Sequence, residues 1–365
     1  MLGAGALFSA SIMTAASPPL ASPPSAPPPW RRAPAPSASA SPGAPPAARK
    51  CSAADREAQR GRISFGESQC PSSSFLNVIY ETAVGCGRDA LIVNVGANKG
   101  YVVAEVLAIF APYAHVGPLR LGEAIARSGL QFNEKTGCGI CDDCRSNPAA
   151  SSAASCPGLP ARVVVHAFEP VPDNVNIIRT QLEPMLAHVE DVSFTLHAVA
   201  VVRDATTVAS VPFSNCRGGG EGCSIQSAAN ADTVDVPTAS LDLWARRELN
   251  AAVIDLLLID AEGFDPEVMR GADMLLRSGR VRILQFEYHG VNHWGSESLE
   301  DMVATLDARH FSCFLIGRER SAVLLTGCFE PATMEKKTWS NVLCVLRSER
   351  ITLEALMKMT ALGAL

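Results

Sequence analysis

Two apolar runs, RVVVHAF at residues 162–168 and DLLLI at 255–259, lack the polar–apolar alternation of a strand with one face in water. Strands of this kind belong in a sheet covered by helices on both sides. Around them, short apolar runs alternate with longer segments of helical period: ALIVNVG before GYVVAEVLAIFA, RVVVHAFEP before PDNVNIIRTQLEPMLA, VIDLLLID before DPEVMRGADMLLRSG, and RILQFEYH before SLEDMVATLDARHF. VSFTLHAVAV adds a third strand, TTVASVPFS an edge strand, SLDLWARREL a helix, and SCFLIGR and WSNVLCVLR two late strands. This order predicts an α/β domain built on a doubly wound, mostly parallel sheet. In such sheets ligands lie beyond the carboxyl ends of the strands, so the residues just after each strand carry the functional information.

Three strand ends are chemically loaded. Asn94, Gly96, Asn98 and Gly100 follow the first strand, Glu169 the second, and Asp260, Glu262 and Gly263 the long apolar one. Gly96 allows close backbone approach, and Gly100 lets a helix begin against the sheet with its N–H groups aimed at a ligand. A carboxylate at the end of the adjacent strand is placed to accept the hydroxyls of a ribose. The turn GANKG lacks the third glycine of a dinucleotide-binding G-x-G-x-x-G, which favours a nucleoside cofactor without pyrophosphate, such as S-adenosylmethionine, over a nicotinamide dinucleotide.

The segments IVNVGANKGYV, VVVHAFEPVPDNV, TASLDLW and IDLLLIDAEGFDPEVMRGADMLL, in that order over roughly residues 90 to 290, resemble the FkbM family of S-adenosylmethionine-dependent methyltransferases. The resemblance implies a class I methyltransferase fold, Rossmann-like, with seven strands and a late antiparallel hairpin. It implies O-methylation of a sugar or secondary-metabolite hydroxyl. It assigns Gly96, Asn98 and Gly100 to the cofactor loop, Glu169 to the ribose and Asp260 to the reactive end of the cofactor. Asn94 stands where the family usually has Asp, which keeps an acceptor oxygen and loses a charge that would favour a cationic cofactor.

Asn94 and Glu169 are 169 − 94 = 75 residues apart, against about 20 between a glycine loop and its ribose carboxylate. Some fifty residues are therefore inserted, at about 113–161, in a stretch too small for a core of its own and in need of cross-links. Cys138, Cys141, Cys144 and Cys156 within it form either a ladder of disulfides or a four-thiolate structural zinc site. Cys216 and Cys223, flanking RGGGEG, read as a loop-closing pair.

A hydroxyl acceptor must lose a proton, and Asp260, Glu262, Glu287 and His289 all end predicted strands. His289 titrates closest to neutrality if it faces the cleft, and Asp260 ends the most buried strand. His293 and Trp294 are candidates for the wall of an acceptor pocket. The acceptor is a small molecule, a glycan or a lipid. Net charge −6 and a pI near 5.7 argue against nucleic acid as a partner. Residues 1–55 form an Ala/Pro/Ser-rich leader without an acidic residue before Asp55, read as disordered and, with the cysteine count, as pointing to the secretory pathway or an organelle. The domain is placed at 56–350, with a C-terminal helix at 351–365, and no apolar run is long enough for a transmembrane helix in the folded part. Two rival functions remain at this level: a catalytically silent binding module on the same fold, and a nicotinamide oxidoreductase.

Overall fold

A computed structural model describes residues 48–62, 68–71, 73–84, 87–129, 138–146, 148, 160–215, 220, 222–226, 233–318 and 321–362. The expected leader up to residue 47, Cys156 and Cys216 lie outside them. The described residues belong to the unit Pro45–Leu365.

The long apolar runs do form the centre of one sheet. β1 (Ala90–Val95) pairs in parallel with β2 (Val163–Phe168) on one side and with β7 (Ile254–Ile259) on the other. β3 (Val192–His197) extends the sheet beyond β2, and β8 (Val281–Tyr288) extends it beyond β7, both in parallel. β11 (Ser340–Leu346) then runs antiparallel between β8 and β9 (Phe311–Ile316), and β10 (Ala322–Leu324) closes the edge. The order β10-β9-β11-β8-β7-β1-β2-β3 thus has eight strands where seven were expected, the extra one being the three-residue β10. Strand order reverses at β1, which places the ligand crevice at the ends of β1, β2 and β7.

Alternate residues of β1 fall into two separate cores: Ala90 and Ile92 pack with the helix Tyr101–Phe110, while Leu91, Val93 and Val95 pack with the helices Leu241–Glu248 and Asp265–Arg270. This two-faced burial is why the runs show no alternation in sequence. The segment 172–187, expected as one helix, is helical over Pro172–Ile177, passes through a π turn at Ile178–Leu182 and resumes at Glu183–Leu186. Pro184 supplies the reason, since a proline inside a helix removes a backbone donor and the wider turn before it absorbs the mismatch.

TTVASVPFS is not an edge strand of the main sheet. β5 (Ser210–Ser214) pairs antiparallel with β6 (Thr233–Ala239), which pairs in parallel with the short β4 (Ala200–Val201), giving a separate three-stranded sheet. The zinc alternative for the insert is also corrected. Cys138 is bonded to Cys144, and Cys141 to Cys70, so three of the four thiolates are consumed as disulfides. Cys51–Cys328 and Cys313–Cys344 are two further disulfides, Cys223 is disulfide-bonded, and there is no free cysteine among the described residues. Among the described residues no single helix is long and apolar enough to cross a membrane.

At the amino-terminal ends of the central strands a buried charge holds the sheet in register. Asp255 of β7, 2% exposed, accepts from the Leu91 N–H at 2.9 Å and pairs with Arg282 at 3.1 Å and Arg88 at 2.8 Å. Arg282 in turn meets Glu349 at 2.7 Å. Replacing Arg282 by methionine leaves Asp255 buried with only the more exposed Arg88, and Glu349 without its partner, and is expected to cost about 3 kcal/mol, measurable by urea unfolding.

Candidate functional site

The loop after β1 is pinched between two strand ends. The N–H groups of Gly96 and Ala97 both donate to the Phe168 carbonyl at 3.0 Å, and the Asp260 N–H donates to the Val95 carbonyl at 2.9 Å. Gly96 has φ +83°, and a Cβ there would lie 1.7 Å from the Asp260 carbonyl oxygen, so only glycine fits. Gly100 is the left-handed residue that opens the helix Tyr101–Phe110.

Glu169 points into this loop. One carboxylate oxygen accepts from the Asn98 N–H at 2.7 Å; the other accepts from the Val171 N–H at 2.8 Å and from Asn174 Nδ2 at 3.4 Å. The residue is 3% exposed, and burial pushes its carboxyl up to about 7 against the pull of these donors. It therefore joins the end of β2 to the glycine loop, with acceptor capacity to spare on both oxygens. Beside it the Oδ1 atoms of Asn98 and Asn174 are buried without hydrogen-bond partners.

Glu169, Asn98 and Asn174 border a chamber of about 70 Å³ whose apolar walls include Phe168, Val199, Phe213 and Phe264. This is narrower than the usual small-molecule site of about 300 Å³ or more. Gly220 and Cys223 also border it, and between them the Gly222 N–H donates to Glu262 Oε1 at 2.9 Å. The chamber's polar rim, with the orphaned amide oxygens beside an apolar slot, offers acceptors for the hydroxyl or amine donors of a ligand. Asn94 does not reach the chamber: it is 2% exposed within β1, its Oδ1 is buried without a partner, and it borders neither cavity.

A second cavity of about 750 Å³ adjoins the first, and Gly96, Asn98, Asp260 and Glu262 border both. Glu262 has φ +50° and Gly263 φ +86°; a Cβ on Gly263 would lie 2.3 Å from the Val291 carbonyl oxygen, which explains the glycine in the DAEG turn. Glu287 and Gln285 from β8, Trp339, Asn341 from β11 and the buried Lys99 also line the larger cavity. Burial, and then the carboxylates of Asp260, Asp265 and Glu262, hold the Glu287 carboxyl well above the usual carboxylate range, so it keeps its proton at neutral pH.

His289 does not face the cleft. It is fully buried, it is stacked on Trp339 with ring centroids 4.6 Å apart, and its Nδ1 accepts from the Val291 N–H at 3.2 Å. Burial pushes its pKa down to about 4, so the neutral ring carries its proton on Nε2, 3.5 Å from Glu287 Oε2. That Nε2 has no hydrogen-bond partner, and the Glu287 carboxyl instead accepts a hydrogen bond from the Trp339 side chain. His293 and Trp294 do not line either cavity: Trp294 is fully buried and donates from Nε1 to the Glu287 carbonyl at 2.8 Å, while His293 lies edge-on to Phe264. Trp339, 39% exposed, supplies the aromatic wall instead. Sequence reasoning passed over Trp339 and Lys99, although Trp339 stands just ahead of a late strand and Lys99 inside the glycine loop.

Residues 142–313 match the model of the methyltransferase FkbM domain. The match begins inside the insert and leaves out β1 and its loop, which the inserted residues separate from the rest of the pattern. No curated protein matches. Among solved structures, the chain is similar to methyltransferase FkbM from Methylobacillus flagellatus KT at 11% identity and TM-score 0.39, covering 77% of this chain and 49% of that one. It is also similar to the C-terminal domain of precorrin-6Y C5,15-methyltransferase from Rhodobacter capsulatus at 11% identity and TM-score 0.28, covering 79% and 91%. This chain spans about half the length of the first of these proteins. Over residues 142–313, the chain is thus similar to the methyltransferase FkbM domain.

Proposed function

We infer that the protein transfers a methyl group from S-adenosylmethionine to a hydroxyl of a small-molecule, glycan or lipid acceptor. The observation that carries this reading is the bond from the Asn98 N–H to Glu169, which brings the glycine loop and the strand-end acid to one chamber beside Asp260. Bound S-adenosylmethionine supplies an already activated methyl on a positively charged sulfur. The protein's part is then to hold the acceptor in line and exclude water, a contribution of roughly 7–11 kcal/mol.

Glu169, Asn98 and Asn174 hold the nucleoside. Asp260 and Glu262, where the two chambers meet, favour a positive charge there. Asp260 takes the proton of the acceptor hydroxyl. Glu287, held neutral and bonded to the Trp339 side chain, donates a hydrogen bond to the acceptor oxygen, and Trp339 offers a flat face to a sugar ring. The disulfides favour an oxidising compartment, in keeping with a secretory or organellar location.

Calorimetric titration with S-adenosylmethionine tests the reading. The native chain is expected to bind, and Glu169→Ala to bind about tenfold to a hundredfold more weakly, because the Asn98 and Val171 N–H groups lose their acceptor at about 1–3 kcal/mol. Equal affinity in the two proteins refutes the assignment of Glu169. Cofactor binding with no methyl transfer to any hydroxyl in a fractionated cell extract favours a silent module.

A further inference from the structure

The Cys-rich loop of the insert is a wall of the larger cavity, which Ile140, Cys141, Asp143 and Ser146 line together with Gln69 and Phe75. It is held from three sides. Cys138–Cys144 closes it on itself, and Cys141–Cys70 bolts it to the segment before the helix Ser74–Ile79. Gly122 of the helix Pro118–Arg127 packs so closely beneath it that a Cβ would lie 2.6 Å from Cys144 Cβ.

The segment carrying Cys70 is in turn fixed to the sheet. Ser68 Oγ donates to the Ile316 carbonyl at 2.6 Å and accepts from the Asn341 N–H at 2.9 Å, and Asn341 Nδ2 donates to the Ser68 carbonyl at 3.1 Å. The wall is therefore rigidly referenced to the strand ends that carry the acids.

On this rigid loop Ile140 is 72% exposed while bordering the cavity. Taking such a side chain out of water is favourable, so a loop fixed by two disulfides keeps that gain available to a ligand. The half-buried Val102 adds apolar surface to the same cavity, with Phe75 and Leu76 buried in the core beside it, whereas the strand ends contribute Asp260, Glu287, Gln285, Asn341 and the Trp339 ring. With Glu287 protonated and the Glu105 carboxyl pushed up to about 7 by burial, Asp143, Asp260 and Glu262 face Lys99 and Arg318, a near balance of charge that suits a neutral acceptor.

Resting on the methyl-transfer reading above, the geometry points to a neutral amphiphile as the acceptor. Its polyol head faces Asp260 and Trp339, and its hydrocarbon tail lies on Ile140 and Val102. The disulfide-bolted loop at residues 138–146 is then the specificity-determining element, with Ile140 its main contact.

The test is calorimetric titration of the full chain, in the presence of S-adenosylhomocysteine, with matched methyl and n-octyl glycosides of glucose, galactose and mannose below their micelle concentrations. In at least one sugar series the octyl compound is expected to bind about tenfold tighter or more than the methyl compound. Ile140→Asp is expected to remove that advantage without changing S-adenosylhomocysteine affinity. Met274→Asp, at a residue 59% exposed that borders neither cavity, is expected to leave it unchanged. Equal binding of octyl and methyl compounds, no binding by any of them, or an octyl advantage that survives Ile140→Asp overturns the proposal. Failure of the native chain to bind S-adenosylhomocysteine overturns the methyl-transfer reading instead.

Discussion

Asp260→Asn is expected to lower kcat by about 10²- to 10⁴-fold, the usual contribution of a positioned base, measured as label passing from S-adenosylmethionine into the acceptor fraction. The residue ends β7 and borders both cavities, so it stands where a hydroxyl and a cofactor methyl would meet. Glu287→Gln gives the contrast. Its carboxyl already keeps its proton, and an amide of the same shape preserves the donor, so kcat is expected to stay within about tenfold of native. The pH dependence of stability separates the two further. A carboxyl whose folded pKa is raised contributes stability that is full below its unfolded value and lost as pH rises toward the folded one. Native protein should therefore lose stability steadily as pH rises from about 4.5 toward about 11, a slope that Glu287→Gln lacks, as followed by thermal melts across pH. If Glu287→Gln proves as inactive as Asp260→Asn, the assignment of base and donor is reversed.

Gly96→Ala is expected to abolish cofactor binding and to cost about 3 kcal/mol or more of stability, a fall of roughly 5–10 °C in Tm by scanning calorimetry. A methyl group there meets the Asp260 carbonyl oxygen, which is itself locked by the bond between the Asp260 N–H and Val95. Gly129→Ala is the control. It has φ +75° and nothing within 4 Å of its missing Cβ, so it pays backbone strain alone. A Tm for Gly96→Ala equal to that of the control would mean that the pinch between β1 and β7 is not a steric constraint.

Much of the fold was legible because its signals are local. The unalternating runs of β1, β2 and β7 reported burial on both faces, and the glycine loop marked where β1 ends. The convergence of Gly96, Asn98, Glu169 and Asp260 followed from the rule for doubly wound sheets. What escaped depends on partners distant in the chain. Cys141 pairs with Cys70, 71 residues earlier, and no spacing within CGICDDC encodes that. β6 contains Pro237, which demotes a strand reading unless its position in a small separate sheet is known. Trp294 and Trp339 have equal claims in sequence; only the antiparallel entry of β11 beside β8 brings Trp339 to the cavity and leaves Trp294 under the sheet end. His289 looked like a base because its strand end was right, yet its ring turned inward to accept from Val291.

β11 fills the gap between β8 and β9, although it follows both of them in the chain. During vectorial synthesis the ribosome releases residues 281–316 well before 340–346, so two long rows of unpaired amides and carbonyls face each other until Ser340–Leu346 emerges. Nascent chains stalled upstream of Ser340 should therefore be the most chaperone-dependent species in the life of this protein.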